Sequence, residues 1–99
     1  MPTNITQVED PERNKTILHV EGEMFLDDAL LLEKIALGMR EEIGKNLTLD
    51  LADLDLLDSE SAPVLRRMEH EHNFEIEGLQ IFLQKVVEET EKFENTNGK

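Results

Sequence analysis

Four short stretches of the chain read as strands, and three longer ones place apolar residues at helical spacing. Together they predict the order strand, strand, helix, strand, helix, strand, helix. Thr16 to Glu21 is a strand ended by Gly22, preceded by a weaker one around Ile5, Thr6, Gln7 and Val8. The turn between them falls in Glu9 to Asn14, which is rich in turn formers. Leu47, Leu49 and Leu51 alternate with Thr48 and Asp50 and share one face of a third strand. Phe74 to Glu77 is a short fourth, closed by Gly78.

A helix over 28–43 opens at Asp27 or Asp28 and stops at Gly44. At about 100° per residue, Leu31, Leu32, Ile35, Ala36, Met39 and Ile43 form its core face. Leu30 and Leu37 fall on the opposite side, one heptad apart. They mark either a second contact surface or lateral packing against a neighbour. A second helix runs from about Ser59 to His70 with Val64, Leu65 and Met68 inward. Pro63 fits only its first turn and so fixes its start. A third runs from about Gln80 to Phe93, and Glu94 to Lys99 form a polar tail expected to fray. Strands alternating with amphipathic helices imply right-handed crossovers and partly parallel pairing. The expectation is one α/β domain over 1–93, with a mixed four- to five-stranded sheet and helices mainly on one face.

Composition narrows the function. In a chain of 99 residues with no Trp or Tyr and four Phe, the core must come from Leu, Ile, Val and Met. A formal net charge of −13 argues against nucleic acid and anionic membrane surfaces and leaves room for a basic protein partner. The absence of cysteine excludes disulfides, Cys-based zinc sites and thiol nucleophiles. Met1 to Asn4 does not open a signal peptide, and no apolar run approaches the roughly 20 residues of a membrane span. A cytoplasmic location without membrane insertion is expected.

No constellation points to catalysis. Asp50, Asp53, Asp55 and Asp58 cluster after the third strand. A Mg²⁺ or phospho-acceptor site would want a Lys or further carboxylates, and only Asp27 and Asp28 offer themselves. The simpler reading is a solvated acidic loop that caps the next helix. His70 and His72 point to different sides of a helix, and His19 stands alone on a strand. With no Ser-His-Asp spacing and no Gly-rich phosphate loop, the expectation is a binding module, neither an enzyme nor a holder of metal or cofactor.

Helical phase separates two serines. Ser61 falls on the Val64, Leu65 and Met68 side as a small buried residue, whereas Ser59 faces away at the helix entrance. Ser59 is then an N-cap, alone or in competition with Asp58, or an exposed phosphorylation site at a helix start.

The stretch from Leu47 through Asp58-Ser59-Glu60-Ser61-Ala62-Pro63 to Leu65 resembles the STAS domain of sulfate transporters and anti-sigma factor antagonists. There, too, an alternating strand leads through a short loop to an Asp-Ser pair that opens a helix. The likeness extends over about 5–90. Glu60 and Ser61 stand where that family usually has a small residue and then Gly. The resemblance implies a bacterial regulator of transcription whose serine after the aspartate, here Ser59, is phosphorylated by a kinase that doubles as an anti-sigma factor. Asp58, Ser59, Glu60, Leu30 and Leu37 would then meet the protein partner. A STAS-like alternative is a constitutive accessory subunit of a transporter ATPase, with Ser59 only a cap and Leu30 and Leu37 the docking face. A homodimer is compatible with either.

Overall fold

The computed structural model describes residues 3–78; the helix expected over 80–93 and the tail at 94–99 lie outside the described residues. Within them the elements are β1 (Asn4–Asp10), β2 (Lys15–Met24), α1 (Leu26–Ile43), β3 (Leu47–Leu57), α2 (Ala62–His70) and β4 (Glu75–Glu77). The strands form one mixed sheet in the order β1-β2-β3-β4. The β1–β2 hairpin is antiparallel, and the β2–β3 and β3–β4 pairs are parallel. The two parallel steps move the same way across the sheet. Right-handed crossovers therefore put α1 and α2 on one face, where they touch each other.

The helix-facing side supplies the core. Leu18, Val20 and Met24 from β2 and Leu47, Leu49, Leu51 and Leu54 from β3 are buried with Ala29, Leu32 and Ala36 of α1 and Val64, Leu65 and Met68 of α2. The other side sets Ile17 and Val8 among polar residues and is held by charge. Arg13 donates to Asp10 Oδ2 and Glu77 Oε2, both at 2.7 Å, and Lys15 pairs with Glu75 and Glu77. Thr48 Oγ1 on the intervening strand also reaches Glu75, at 3.0 Å. These cations hold the Glu75 and Glu77 carboxyls below the usual range, Lys15 acting on Glu75 and Arg13 on Glu77. A three-residue edge strand has few ladder hydrogen bonds, so this cross-sheet network anchors β4 from the side.

Four boundaries differ from the sequence reading, each for a physical reason. Gly22 does not end β2. It lies inside the strand at φ 96°, beside one of two register shifts, and β2 continues to Met24. At each shift β3 contributes one extra residue, which interrupts its alternation and disguises the strand beyond Leu51. Asp50, Asp53 and Asp55 thus belong to a strand rather than to a solvated loop. The N-cap of α1 is Phe25, not Asp27 or Asp28; Asp28 instead accepts the Phe25 N–H at 3.0 Å, half of a capping box. Finally, α2 begins at Ala62, and Ser59 to Ser61 form a turn before it.

The inward face of α1 is also rotated. Its centre lies between Ala29 and Ala36, whose small side chains let the helix sit close to the sheet. Leu26, Ile35, Leu37 and Met39 pack half-buried around it, while Leu31 and Ile43 are exposed. Leu31 stands about 200° round the helix from Ala29, nearly opposite the core.

Between the helices, Glu33 accepts both Nε and Nη2 of Arg67, at 2.7 and 2.6 Å, and His72 Nε2 stands 3.3 Å from the same carboxylate. The Arg67 guanidinium, with a smaller contribution from His72, lowers the Glu33 carboxyl below its ordinary range. Arg40 donates to the His72 carbonyl and lies 4.2 Å over the Phe74 ring, which fixes the return from α2 to β4.

Two outcomes follow. Gly78 has φ +78°, and an added Cβ would meet Ala52 N at 2.5 Å and Asp50 Oδ1 at 2.8 Å. In chemical denaturation Gly78→Ala should cost roughly 2 kcal/mol or more, the left-handed penalty plus the clash. For Glu33 the sign follows from its lowered pKa: the stabilisation is present above the unfolded-state value and is lost as pH falls through the folded one. Glu33→Gln should therefore cost about 1 kcal/mol at neutral pH. Its melting temperature should converge on that of the parent protein as pH falls below about 4.3.

Candidate functional site

The carboxyl ends of β2 and β3 meet at the carbonyl oxygen of Met24. It accepts the Asp58 N–H at 2.9 Å and lies 3.4 Å from Ser61 Oγ. Asp58 then closes the turn on itself: its Oδ1 accepts the Glu60 N–H at 2.8 Å and its carbonyl accepts the Ser61 N–H at 2.9 Å. Ser61 is the N-cap residue of α2, but its side chain makes no capping bond and is fully buried. Its carbonyl accepts the N–H groups of Val64 and Leu65 at 3.0 and 3.1 Å. Pro63 sits in the first turn, as its missing N–H requires.

Ser59 stands at the crest of this turn. It is exposed, and its hydroxyl is bonded to no described residue. The split expected from helical phase therefore holds, with Ser61 inward and Ser59 outward, even though the helix starts later. Ser59 itself caps nothing. The turn is set by Asp58 below it and by Ser61 beyond it, so the exposed hydroxyl is presented by a rigid frame.

Two large apolar side chains are exposed where β2 and β3 end. Phe25 directly follows Met24 and is 47% exposed, and Leu56, paired in register with Glu23, is 39% exposed. Neither was singled out by spacing. Asp27 and Asp28 draw the expected helix start beyond Phe25. Leu56 was hidden by the second register shift in β3.

The sequence-derived partner residues separate here. Glu33 bonds to Arg67; Leu30 lies one turn before Glu33, and Pro63 one turn before Arg67. This places Leu30 toward the start of α2. Leu37, a heptad further along, is half-buried against the core, one of the two placements its spacing left open. The remaining polar candidates do not converge. His19 Nε2 pairs with Asp53 Oδ2 at 2.7 Å on the open face, and Asp50 Oδ1 accepts the Ala52 N–H at 3.1 Å. His70 lies 3.5 Å from Glu69, whereas His72 turns back to Glu33. Among the described residues, no three His, Asp or Glu are grouped to hold a metal ion.

A groove of about 230 Å³ runs beside the turn, walled by Leu57, Ala62, Leu65 and Ile76 and rimmed by Arg66, Glu69 and His70. It is smaller than the roughly 300–1,000 Å³ of most small-molecule sites. No helix of the described residues is long and apolar enough to cross a membrane. No protein-family model matches the chain, and no curated protein sequence matches it.

The hydrogen bonds assign unequal weight to the two residues that open the turn. Asp58→Ala removes the acceptor for the Glu60 N–H and should cost about 1 kcal/mol in urea unfolding. Ser59→Ala should change stability by less than about 0.5 kcal/mol, as expected for an exposed side chain without partners.

Proposed function

We propose that this protein is a regulatory protein-binding module of the anti-sigma factor antagonist kind, switched by phosphorylation of Ser59. The observation that carries the reading is the presentation of Ser59. An exposed hydroxyl, bonded to no described residue, stands on a turn tied to β2 through Met24 and continuous with β3, and Phe25 and Leu56 are exposed where these two strands end. A mixed four-stranded sheet with two helices is compatible with a STAS-like fold. The Leu47-to-Leu65 resemblance supports the same assignment.

The way such a switch would act follows from the local groups. Asp58 already takes the Glu60 and Ser61 amides, and Pro63 has no N–H. A phosphate on Ser59 thus meets little of the amide cluster that welcomes anions at other helix starts. Its effect is repulsive: about −1.5 to −2 of new charge beside Asp58 and Glu60, on a face that the unmodified form offers to its partner. The partner in this reading is a serine kinase that also acts as an anti-sigma factor, in the cytoplasm of a bacterium.

The accessory-subunit reading, which assigns Ser59 only a capping role, rests on Leu30 alone, because the cap residue is Ser61.

The switch is tested by incubating the chain with the serine kinases of its own genome and following intact mass. One added phosphate, mapped to Ser59 and lost in Ser59→Ala, is expected. A Ser59→Asp variant should keep its melting temperature yet bind that kinase at least about tenfold more weakly. Modification at another residue, or none with every kinase, would remove the proposal.

A further inference from the structure

The outer side of α1 carries a glycine that no contact of the described residues requires. Gly38 is an exposed residue in the interior of an 18-residue helix. It is not among the glycines with positive φ, and nothing lies within 4 Å of where its Cβ would stand. Alanine would fit there without strain, and glycine in such a place destabilises a helix relative to alanine. No contact of the described residues offsets that loss, and the absent side chain leaves the backbone open to close approach.

The neighbours of Gly38 show what would approach. Leu31 is one heptad before it, on the same side of the helix, and is 52% exposed; Leu30, flanking it, is 42% exposed. Two large apolar side chains and a bare stretch of backbone thus follow one another along the outer face of α1. Asp27, Glu41 and Glu42 flank this strip at its two ends, with Lys34 between them. A second copy of this chain would bring −13 against −13 and acid against acid, which disfavours it as the occupant.

We infer that the Leu30, Leu31 and Gly38 face of α1 is a docking surface for an amphipathic helix of a partner protein, one with an apolar stripe flanked by Lys or Arg. The leucines supply the apolar anchor, Gly38 the point of closest approach, and the acidic ends the match to the partner's basic flanks. This face points away from the sheet.

The test uses the intact, isotope-labelled chain and three synthetic peptides of about 18 residues, enough for five helical turns. One has leucines at heptad positions on a lysine background. The second has the same composition scrambled, and the third carries glutamate in place of lysine. The first should bind and shift the amide resonances of residues 27–42. The scrambled and acidic peptides should bind at least about tenfold more weakly. Leu31→Glu should weaken binding to a similar degree.

Two variants of Gly38 make the decision sharper. Gly38→Ala should raise the melting temperature, because no contact of the described residues requires glycine there. Gly38→Leu adds apolar surface, so simple stickiness would tighten binding, whereas close backbone approach requires that it loosen binding severalfold. Leu31→Glu should leave phosphorylation of Ser59 unchanged, so loss of the Ser59 switch and loss of this surface are read separately. Equal binding of the scrambled peptide, shifts scattered over the sheet, tighter binding by Gly38→Leu, or a lower melting temperature for Gly38→Ala would each overturn the assignment. A dimer in sedimentation equilibrium that Leu31→Glu disperses would give the face to a second copy instead.

Discussion

One carbonyl group joins most of this structure. The Met24 oxygen ends β2, receives the Asp58 N–H at the end of β3, and lies beside the buried Ser61 hydroxyl at the start of α2. Met24 also pairs in register with Leu57, and Phe25, the next residue, is the N-cap of α1. Four chain segments therefore converge where the two central strands finish. A buried polar group without a partner is costly, so each donor that reaches this oxygen also fixes the segment that carries it. The turn bearing Ser59 owes its shape to that junction and not to the hydroxyl of Ser59.

The electrostatics of the chain are arranged rather than merely acidic. Ten basic residues face 23 acidic ones, and much of the positive charge is engaged in holding elements together. Arg13 and Lys15 bind β4 to the hairpin across β3, while Arg67 and Arg40 bind α2 and its return to α1. Among the described residues, Asp27, Asp58 and Glu60 at one end of the molecule join no ion pair. That imbalance gives both proposed contact regions the same preference, for partners with basic surroundings.

Much of the fold was legible in the sequence, and the misses share a cause. Leu47, Leu49 and Leu51 announced their strand because they alternate, and Gly44 announced the end of α1 because a left-handed cap favours glycine. Its φ is 70° and its N–H reaches the Arg40 carbonyl. Ser61 was placed inside by helical phase. What failed to show was anything that broke a period. Two extra residues in β3 scrambled the alternation from Ala52 onward, so a continuous strand looked like an acidic loop. In α1 the largest side chains were not the innermost. Ala29 and Ala36 make the close contact with the sheet, and Leu31 is left outside. At the candidate site, exposure of Ser59 was predictable from phase, but the exposed Phe25 and Leu56 depend on where three strand and helix ends meet, which no local pattern encodes.

The bond from Asp58 to Met24 has a consequence in time. The residues that set the Ser59 turn are joined to β2 across the whole of α1 and β3, so an isolated segment around Ser59 lacks the bond that ties the turn to the sheet. Fraying of α2 from its far end leaves it intact, whereas loss of the β2–β3 register abolishes it. A molecule that recognises Ser59 in this conformation thereby recognises only chains whose central sheet is already assembled.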